Sequence, residues 1–154
     1  MQGSVMSSFV SATAGVPQGA VLSPLLFVVY INDLANSCML RMMIAMFADD
    51  VAAWPDVITM NVKSQYSVMR SFLVFVSQWS EIWKLEFSIN KTKLIDFTHK
   101  RYLYEPKPPL VLCGSVLTQD DVMKYLGVGY NQDGSNDAHF DDVFRKARQT
   151  ALHA

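Results

Sequence analysis

The chain has 154 residues, enough for one domain with a core of its own. Apolar residues make up 51% and charged residues 18%, against about 45–50% and about 25% in a typical soluble domain. The formal net charge of -1 gives no bulk basic excess, so any contact with nucleic acid must rest on local patches.

Residues 1–14 are small and polar with a few apolar positions, an extended lead-in without the basic and apolar regions of a signal peptide. Gly15-Val16-Pro17-Gln18-Gly19 follows. Two glycines around a proline predict a tight, backbone-exposed loop. Ser23-Pro24 reads as an N-cap with proline at the first helical position. The helix would run from Leu25 to about Leu34. It is apolar nearly all round, which predicts burial. The greasy run Val21 to Ile31 is broken by Ser23-Pro24 and is too short to cross a bilayer.

Met42 to Trp54 holds two adjacent aspartates, Asp49 and Asp50, between two short apolar runs. A hairpin there would lift both carboxylates to the tip of a sheet with buried arms. Such acids need water, a proton or a cation, and a hard divalent cation is one answer. A plain hairpin turn is the other reading. Asp120-Asp121 and Asp141-Asp142 are also acid pairs, but their polar flanks suggest solvated loops or helix starts.

From about Met60 to Trp83 the apolar residues step by three and four: Val62, Tyr66, Met69, Phe72, Leu73, Val76, Trp79 and Trp83. This predicts an amphipathic helix packing one stripe on a sheet. Phe87 to Lys93 reads as a turn and Leu94 to Thr98 as a strand. A basic, proline-broken loop follows, from His99 to Pro109. Leu110 to Leu117 predicts a hairpin around Gly114-Ser115, and Val122 to Val128 one more strand. The polar loop Asn131 to Asp137 fails as a calcium loop, because the first ligand position falls on Gly129 and the last on Phe140. Residues 138–153 read as a short helix carrying Arg145, Lys146 and Arg148. The two cysteines, Cys38 and Cys113, form no CxxC and have no neighbouring histidine, which excludes a disulfide framework and a zinc site. The expected compartment is reducing and intracellular. The element order favours an α+β fold, a small antiparallel sheet with helices packed on one face.

Several segments together resemble the reverse transcriptases of non-LTR retrotransposons. They are Gly15-Val16-Pro17-Gln18-Gly19-Ala20-Val21-Leu22-Ser23-Pro24-Leu25-Leu26-Phe27, Tyr30-Ile31-Asn32-Asp33-Leu34, Phe47-Ala48-Asp49-Asp50, Phe87-Ser88-Ile89-Asn90-Lys91-Thr92 and Lys124-Tyr125-Leu126-Gly127-Val128. The resemblance covers roughly residues 10–150 and implies a partial polymerase palm over residues 1–154, with a thumb beginning near residue 138. It implies that Asp49 ligates catalytic Mg2+ or Mn2+ ions, with Asp50 beside it, where two ions would clamp the attacking and leaving oxygens. Gly15, Pro17, Gln18 and Gly19 would approach the incoming nucleotide and the template. A plain glycine turn is the alternative for that loop. Lys91 would stand near the triphosphate, or be a solvated turn lysine. Tyr125, Leu126 and Gly127 would grip the primer end, or form a core strand with a glycine bulge. The implied partners are an RNA template, a DNA primer and a deoxynucleoside triphosphate, with no membrane.

The family's palm carries a further metal-binding aspartate upstream of the glycine loop, and none of residues 1–14 is Asp or Glu. Two adjacent carboxylates cannot hold both ions. The expectation is therefore a fragment with an incomplete metal site, inactive alone, with an uncovered core and a mean hydropathy of +0.16 to match. The alternative is a non-catalytic remnant or a module that binds nucleic acid or a partner. An unrelated α+β core would place the glycine loop and Tyr125 far from Asp49.

Overall fold

A computed structural model describes residues 15–17, 19–36, 41–56, 61–97 and 107–152. In chain order they form α1 (Ser23–Asn36), β1 (Met42–Phe47), β2 (Asp50–Pro55), α2 (Val62–Trp83), β3 (Val111–Leu112), β4 (Ser115–Val116), β5 (Val122–Tyr125), β6 (Val128–Asn131) and α3 (Asp137–Leu152). The class is α+β. Among the described residues the strands form three two-stranded antiparallel ladders, β1–β2, β3–β4 and β5–β6.

The apolar stripe predicted for α2 is the centre of the core. Asn61 caps the helix, its side chain accepting from the Ser64 N–H at 2.9 Å. Lys84 ends it in the left-handed region at φ 55, and its N–H returns to the Ser80 carbonyl. Phe72, Leu73, Val76 and Trp79 are buried along one side. Each such side chain contributes about 1.5–3 kcal/mol relative to exposure. Ile31 and Leu34 of α1, Met42 of β1, and Leu110 and Leu112 around β3 complete the cluster.

The β1–β2 hairpin lays one face on this core. Its register pairs Met42 with Pro55, Ile44 with Ala53 and Met46 with Val51. Met42 is buried, and Ile44, Met46, Val51 and Ala53 pack against the cluster. The alternate residues Met43, Phe47 and Trp54 are exposed, as the period of two requires.

Four elements differ from the sequence reading. First, α1 is not buried: only Phe27, Ile31 and Leu34, at i, i+4 and i+7, face the core. Leu25, Leu26, Val28 and Val29 are more than half exposed. An all-round apolar helix buries only the faces that neighbours cover, and among the described residues α1 meets β1 and the end of α2. Second, Ser23 lies inside α1, and the Leu22 carbonyl already accepts from the Leu26 N–H at 3.0 Å. Third, Leu94 to Phe97 forms no ladder; Leu94 makes one parallel bridge with Gln119. Side chains hold the segment instead. Asp96 accepts from Tyr66 Oη at 3.3 Å and pairs with Lys107, whose ammonium lies over the Tyr66 ring. Burial pulls the Lys107 pKa below its ordinary value. Among the described residues the strand predicted over 94–98 has no ladder partner, and Thr98 lies outside them. Fourth, Val122 to Val128 is not one strand but the first arm and turn of the β5–β6 hairpin.

The third helix docks on β6 through a glycine. A Cβ on Gly129 would stand 3.0 Å from the His139 backbone nitrogen and 3.2 Å from the Ala138 carbonyl carbon. The absent side chain is what lets the two backbones meet. Gly129→Ala should therefore push α3 away and lower stability by roughly 1–3 kcal/mol. Thermal melting of the two proteins checks this; an unchanged midpoint would contradict the close approach.

Candidate active site

The tip of the β1–β2 hairpin is a two-residue turn. Phe47 pairs with Asp50, leaving Ala48 and Asp49 as the turn residues. Ala48 has φ 51, a conformation that costs an L-residue roughly 1–2 kcal/mol. Asp49 is thus in the turn itself, and Asp50 is the first residue of β2, on the outer face with Phe47. Both aspartates are exposed. Asp56 N–H donates to the Arg41 carbonyl at 2.9 Å and closes the base of the hairpin. A half-buried inner face and a closed base therefore hold two carboxylates at a solvent-facing tip.

The glycine loop is tied to the start of α1. Ser23 is buried, and its hydroxyl donates to the Pro17 carbonyl at 2.5 Å. Ala20 N–H also donates to Pro17 O, at 3.3 Å. The serine that the sequence assigns as a helix cap is spent on holding the loop. Gly19 has φ 86, where a side chain would be strained, while the space around it is open. Gly15, Pro17 and Gly19 are exposed. Gln18 lies outside the described residues.

Lys91 sits on the turn after α2. Its N–H and that of Thr92 both donate to the Ser88 carbonyl at 3.0 Å. The side chain is exposed, and among the described residues no hydrogen bond or ion pair links it to Asp49 or Asp50.

Tyr125, Leu126 and Gly127 form the turn end of the β5–β6 hairpin, not a bulged core strand. Tyr125 pairs with Val128, so Leu126 and Gly127 are the two turn residues, with φ 49 and 84. Two successive left-handed residues match the right-handed twist of a hairpin. Tyr125 Oη donates to the Ala45 carbonyl of β1 at 3.4 Å. That long bond joins this hairpin to the one carrying Asp49. The structure thus brings Tyr125 against the arm of the Asp hairpin, and leaves Lys91 on a separate turn.

One cluster escaped the sequence reading. Asp142 of α3 meets Lys124 of β5 at 2.7 Å, Arg145 at 2.6 Å and Lys146 at 2.9 Å. The spacing to Arg145 and Lys146 is a helical i+3 and i+4 pattern and was legible. Lys124 comes from a strand and carried no local signal. Hydrogen bonds from Lys124, Lys146 and Arg145 hold the Asp142 carboxyl well below its usual range, and Asp142 in turn raises Lys124.

Two predictions follow from the turns and the cluster. Ala48→Gly should remove the left-handed strain and raise stability by about 1 kcal/mol, read as a higher denaturation midpoint. A lower midpoint would contradict the strain. The Asp142 pKa is depressed from an unperturbed 3.8, so its stabilisation is present above that value and lost as pH falls toward the folded pKa. The stability gap between the native chain and Asp142→Asn should be level near neutral pH and shrink below about pH 4. A gap that stays level to pH 2 would contradict the assignment.

The sequence is similar to known ones. Residues 2–130 match the model of the family described as reverse transcriptase (RNA-dependent DNA polymerase). The chain is 29% identical over 151 residues to a protein named probable RNA-directed DNA polymerase from transposon X-element of Drosophila melanogaster, covering 94% of this chain and 16% of that one. It is 30% identical over 142 residues to the probable RNA-directed DNA polymerase from transposon BS of the same fly, covering 88% of this chain and 15% of that one. It is 25% identical over 143 residues to the RNA-directed DNA polymerase from mobile element jockey of that fly, covering 89% and 15%. The chain thus spans about one-sixth of the length of these relatives. No solved structure matches it. The family model covers well over half of the sequence, and the chain belongs to the reverse transcriptase family.

Proposed function

We propose that this chain is the palm segment, from the glycine loop onward, of an RNA-directed DNA polymerase of a non-LTR retrotransposon, with α3 beginning the thumb. The observation that carries the reading is the Tyr125–Ala45 contact, which sets the Leu126-Gly127 turn beside the arm of the Asp49-Asp50 hairpin. A polymerase needs both near one primer end. The relatives named as RNA-directed DNA polymerases support it.

In this reading Asp49 and Asp50 present carboxylate oxygens, the donor type that Mg2+ or Mn2+ takes. In the loop Gly15, Pro17, Gln18 and Gly19 the glycines allow close backbone approach to nucleotide and template and Gln18 can hydrogen-bond without adding charge, the loop being tied to α1 where Ser23 meets Pro17. Tyr125, Leu126 and Gly127 hold the primer end. Lys91 acts at the triphosphate, which requires its exposed side chain to reach across from the turn after α2. The partners are an RNA template, a DNA primer and a deoxynucleoside triphosphate.

The donor set is short. Among the described residues no group of three or more His, Cys, Asp or Glu comes together. These residues do not fit a two-ion site by themselves, and a third oxygen donor must come from elsewhere in a longer polymerase. The 154-residue chain alone should not extend a primer. A primer-extension assay with RNA template and Mg2+ or Mn2+ tests this, and incorporation above that of Asp49→Asn would overturn it. In a longer polymerase containing this segment, Asp49→Asn should lower extension by at least about 100-fold. Unchanged extension there would overturn the role of Asp49. The second reading, a non-catalytic module that binds nucleic acid, is favoured by the short donor set. Salt-sensitive RNA binding without metal dependence, together with an inert longer polymerase, would support it.

A further inference from the structure

The third helix has one side seated and one side bare. Gly129 meets the backbone at Ala138 and His139, and Lys124 pairs with Asp142, so the side of α3 bearing those residues lies on the β5–β6 hairpin. Phe140, Val143, Phe144 and Ala147 step by three and four and form a row of their own. At about 100° per residue, the middle of that row lies roughly 140° around the helix from the seated side. Phe140, Val143 and Phe144 are 55%, 47% and 65% exposed, and Ala147 is exposed as well. Among the described residues β6 is the element on which α3 packs, and the apolar row is left uncovered. Large apolar side chains side by side on one row make a contiguous patch, which marks a contact surface as scattered residues do not.

The charges along the border of the row say what fits it. Asp141 and Arg148 stand seven residues apart, two helical turns, and with Phe144 they line one open groove. Among the described residues neither makes an ion pair, whereas Arg145 and Lys146 are committed to Asp142. The midpoint between Asp141 and Arg148 falls beside Phe144. That pattern complements itself. A second α3 laid antiparallel across a two-fold axis at Phe144 sets Asp141 against Arg148 of the partner subunit, and Arg148 against the partner's Asp141. A parallel pair would oppose acid to acid and base to base. The same axis brings the two Phe144 rings together and sets Phe140 over the partner's Ala147, a large residue against a small one. The helix α1 also exposes apolar residues, but Asp33 is its one charge, so nothing along it selects a partner.

We infer that a second copy of this chain docks on the Phe140, Val143 and Phe144 row of α3, antiparallel about a two-fold axis, with Asp141 and Arg148 as the reciprocal charge pair. One pair of 16-residue helices lies at the small end of specific interfaces, below about 1,200 Å2 in total. The dimer is therefore weak and forms as concentration rises. The inference goes beyond the proposed function and rests on neither metal nor nucleic acid.

The test is sedimentation equilibrium of the full 154-residue chain across a concentration series. The average mass should climb from 17.3 kDa toward twice that and not pass it. Phe144→Ala, at the centre of the contact, should weaken association roughly tenfold or more. Asp141→Arg and Arg148→Asp should each weaken it as well, because each sets like charges across the axis. Mixed in equal amounts, the two charge variants should associate with each other more tightly than either does with itself. The double variant Asp141→Arg, Arg148→Asp restores the reciprocal pair at the native net charge and should associate like the native chain. Val29→Gln, on the exposed side of α1, should change nothing. If Phe144→Ala loses helix by circular dichroism, the charge variants decide, since they keep every apolar residue. A monomer at every concentration, which would leave the row to another segment of a longer polymerase, overturns the inference. So does a mass that grows past the dimer, or an association that Val29→Gln removes and Phe144→Ala leaves. A mixture of the two charge variants that associates no more tightly than either alone overturns it equally.

Discussion

The buried stripe of α2 is the surface on which α1, the Asp hairpin and the β3 region depend. Phe72, Leu73, Val76 and Trp79 receive Ile31 and Leu34 from α1, Met42 from the Asp hairpin, and Leu110 and Leu112 from the β3 region. A two-stranded hairpin is marginal in water without a surface to pack on. The β1–β2 hairpin gains its fixed position only because Ile44, Met46, Val51 and Ala53 lie on that cluster. The aspartates at its tip are held in place by apolar contacts along the inner face, from Met42 at the base to Met46 and Val51 beside the tip. Burial of one face of the hairpin thus allows charge at its end.

Around this centre the structure places strain and polar ties at its turns. Three hairpins carry a residue other than glycine in the left-handed region: Ala48, Cys113 and Leu126. Two of these turns, Ala48-Asp49 and Leu126-Gly127, are those to which the family resemblance assigns contact with metal and primer. Unfavourable turn residues persist where the surrounding structure over-determines the backbone. Here the ladders β1–β2 and β5–β6 do so, linked by the Tyr125 hydroxyl. Ser23 does a similar task for the glycine loop, and Asp142 for α3.

What could be read from the sequence was what repeats locally. The three- and four-residue steps of α2, the apolar arms around Asp49-Asp50 and the Gly114 turn each gave an element of the right type in the right place. What could not be read was pairing at a distance. Tyr125 reaches Ala45 across 80 residues, and Lys124 reaches Asp142 across 18, with no periodic signal in either case. The Leu94 segment has strand-like residues but, among the described residues, one bridge partner, and its fate depended on Gln119, Tyr66 and Lys107. The exposure of α1 was hidden for another reason: an apolar composition tells what a helix could bury, and the number of neighbours tells what it does. The β5–β6 hairpin was missed because Leu126 is an unusual residue for a left-handed turn position, and only Gly127 marked a break. Within the candidate site, the tip position of Asp49 was legible from the residues and the turn at Leu126-Gly127 only through the family resemblance, and the contact between their hairpins was not legible.

The central claim is that the Asp hairpin, seated on the core, is joined to the Leu126-Gly127 hairpin by the Tyr125 hydroxyl. The most direct measurement is electron spin dipolar coupling between nitroxide labels on Asp49→Cys and Leu126→Cys, with Cys38 and Cys113 changed to serine. The account predicts a single narrow distance distribution that broadens when Tyr125→Phe removes the hydroxyl. A broad distribution in the parent chain, or one unchanged by Tyr125→Phe, would contradict it.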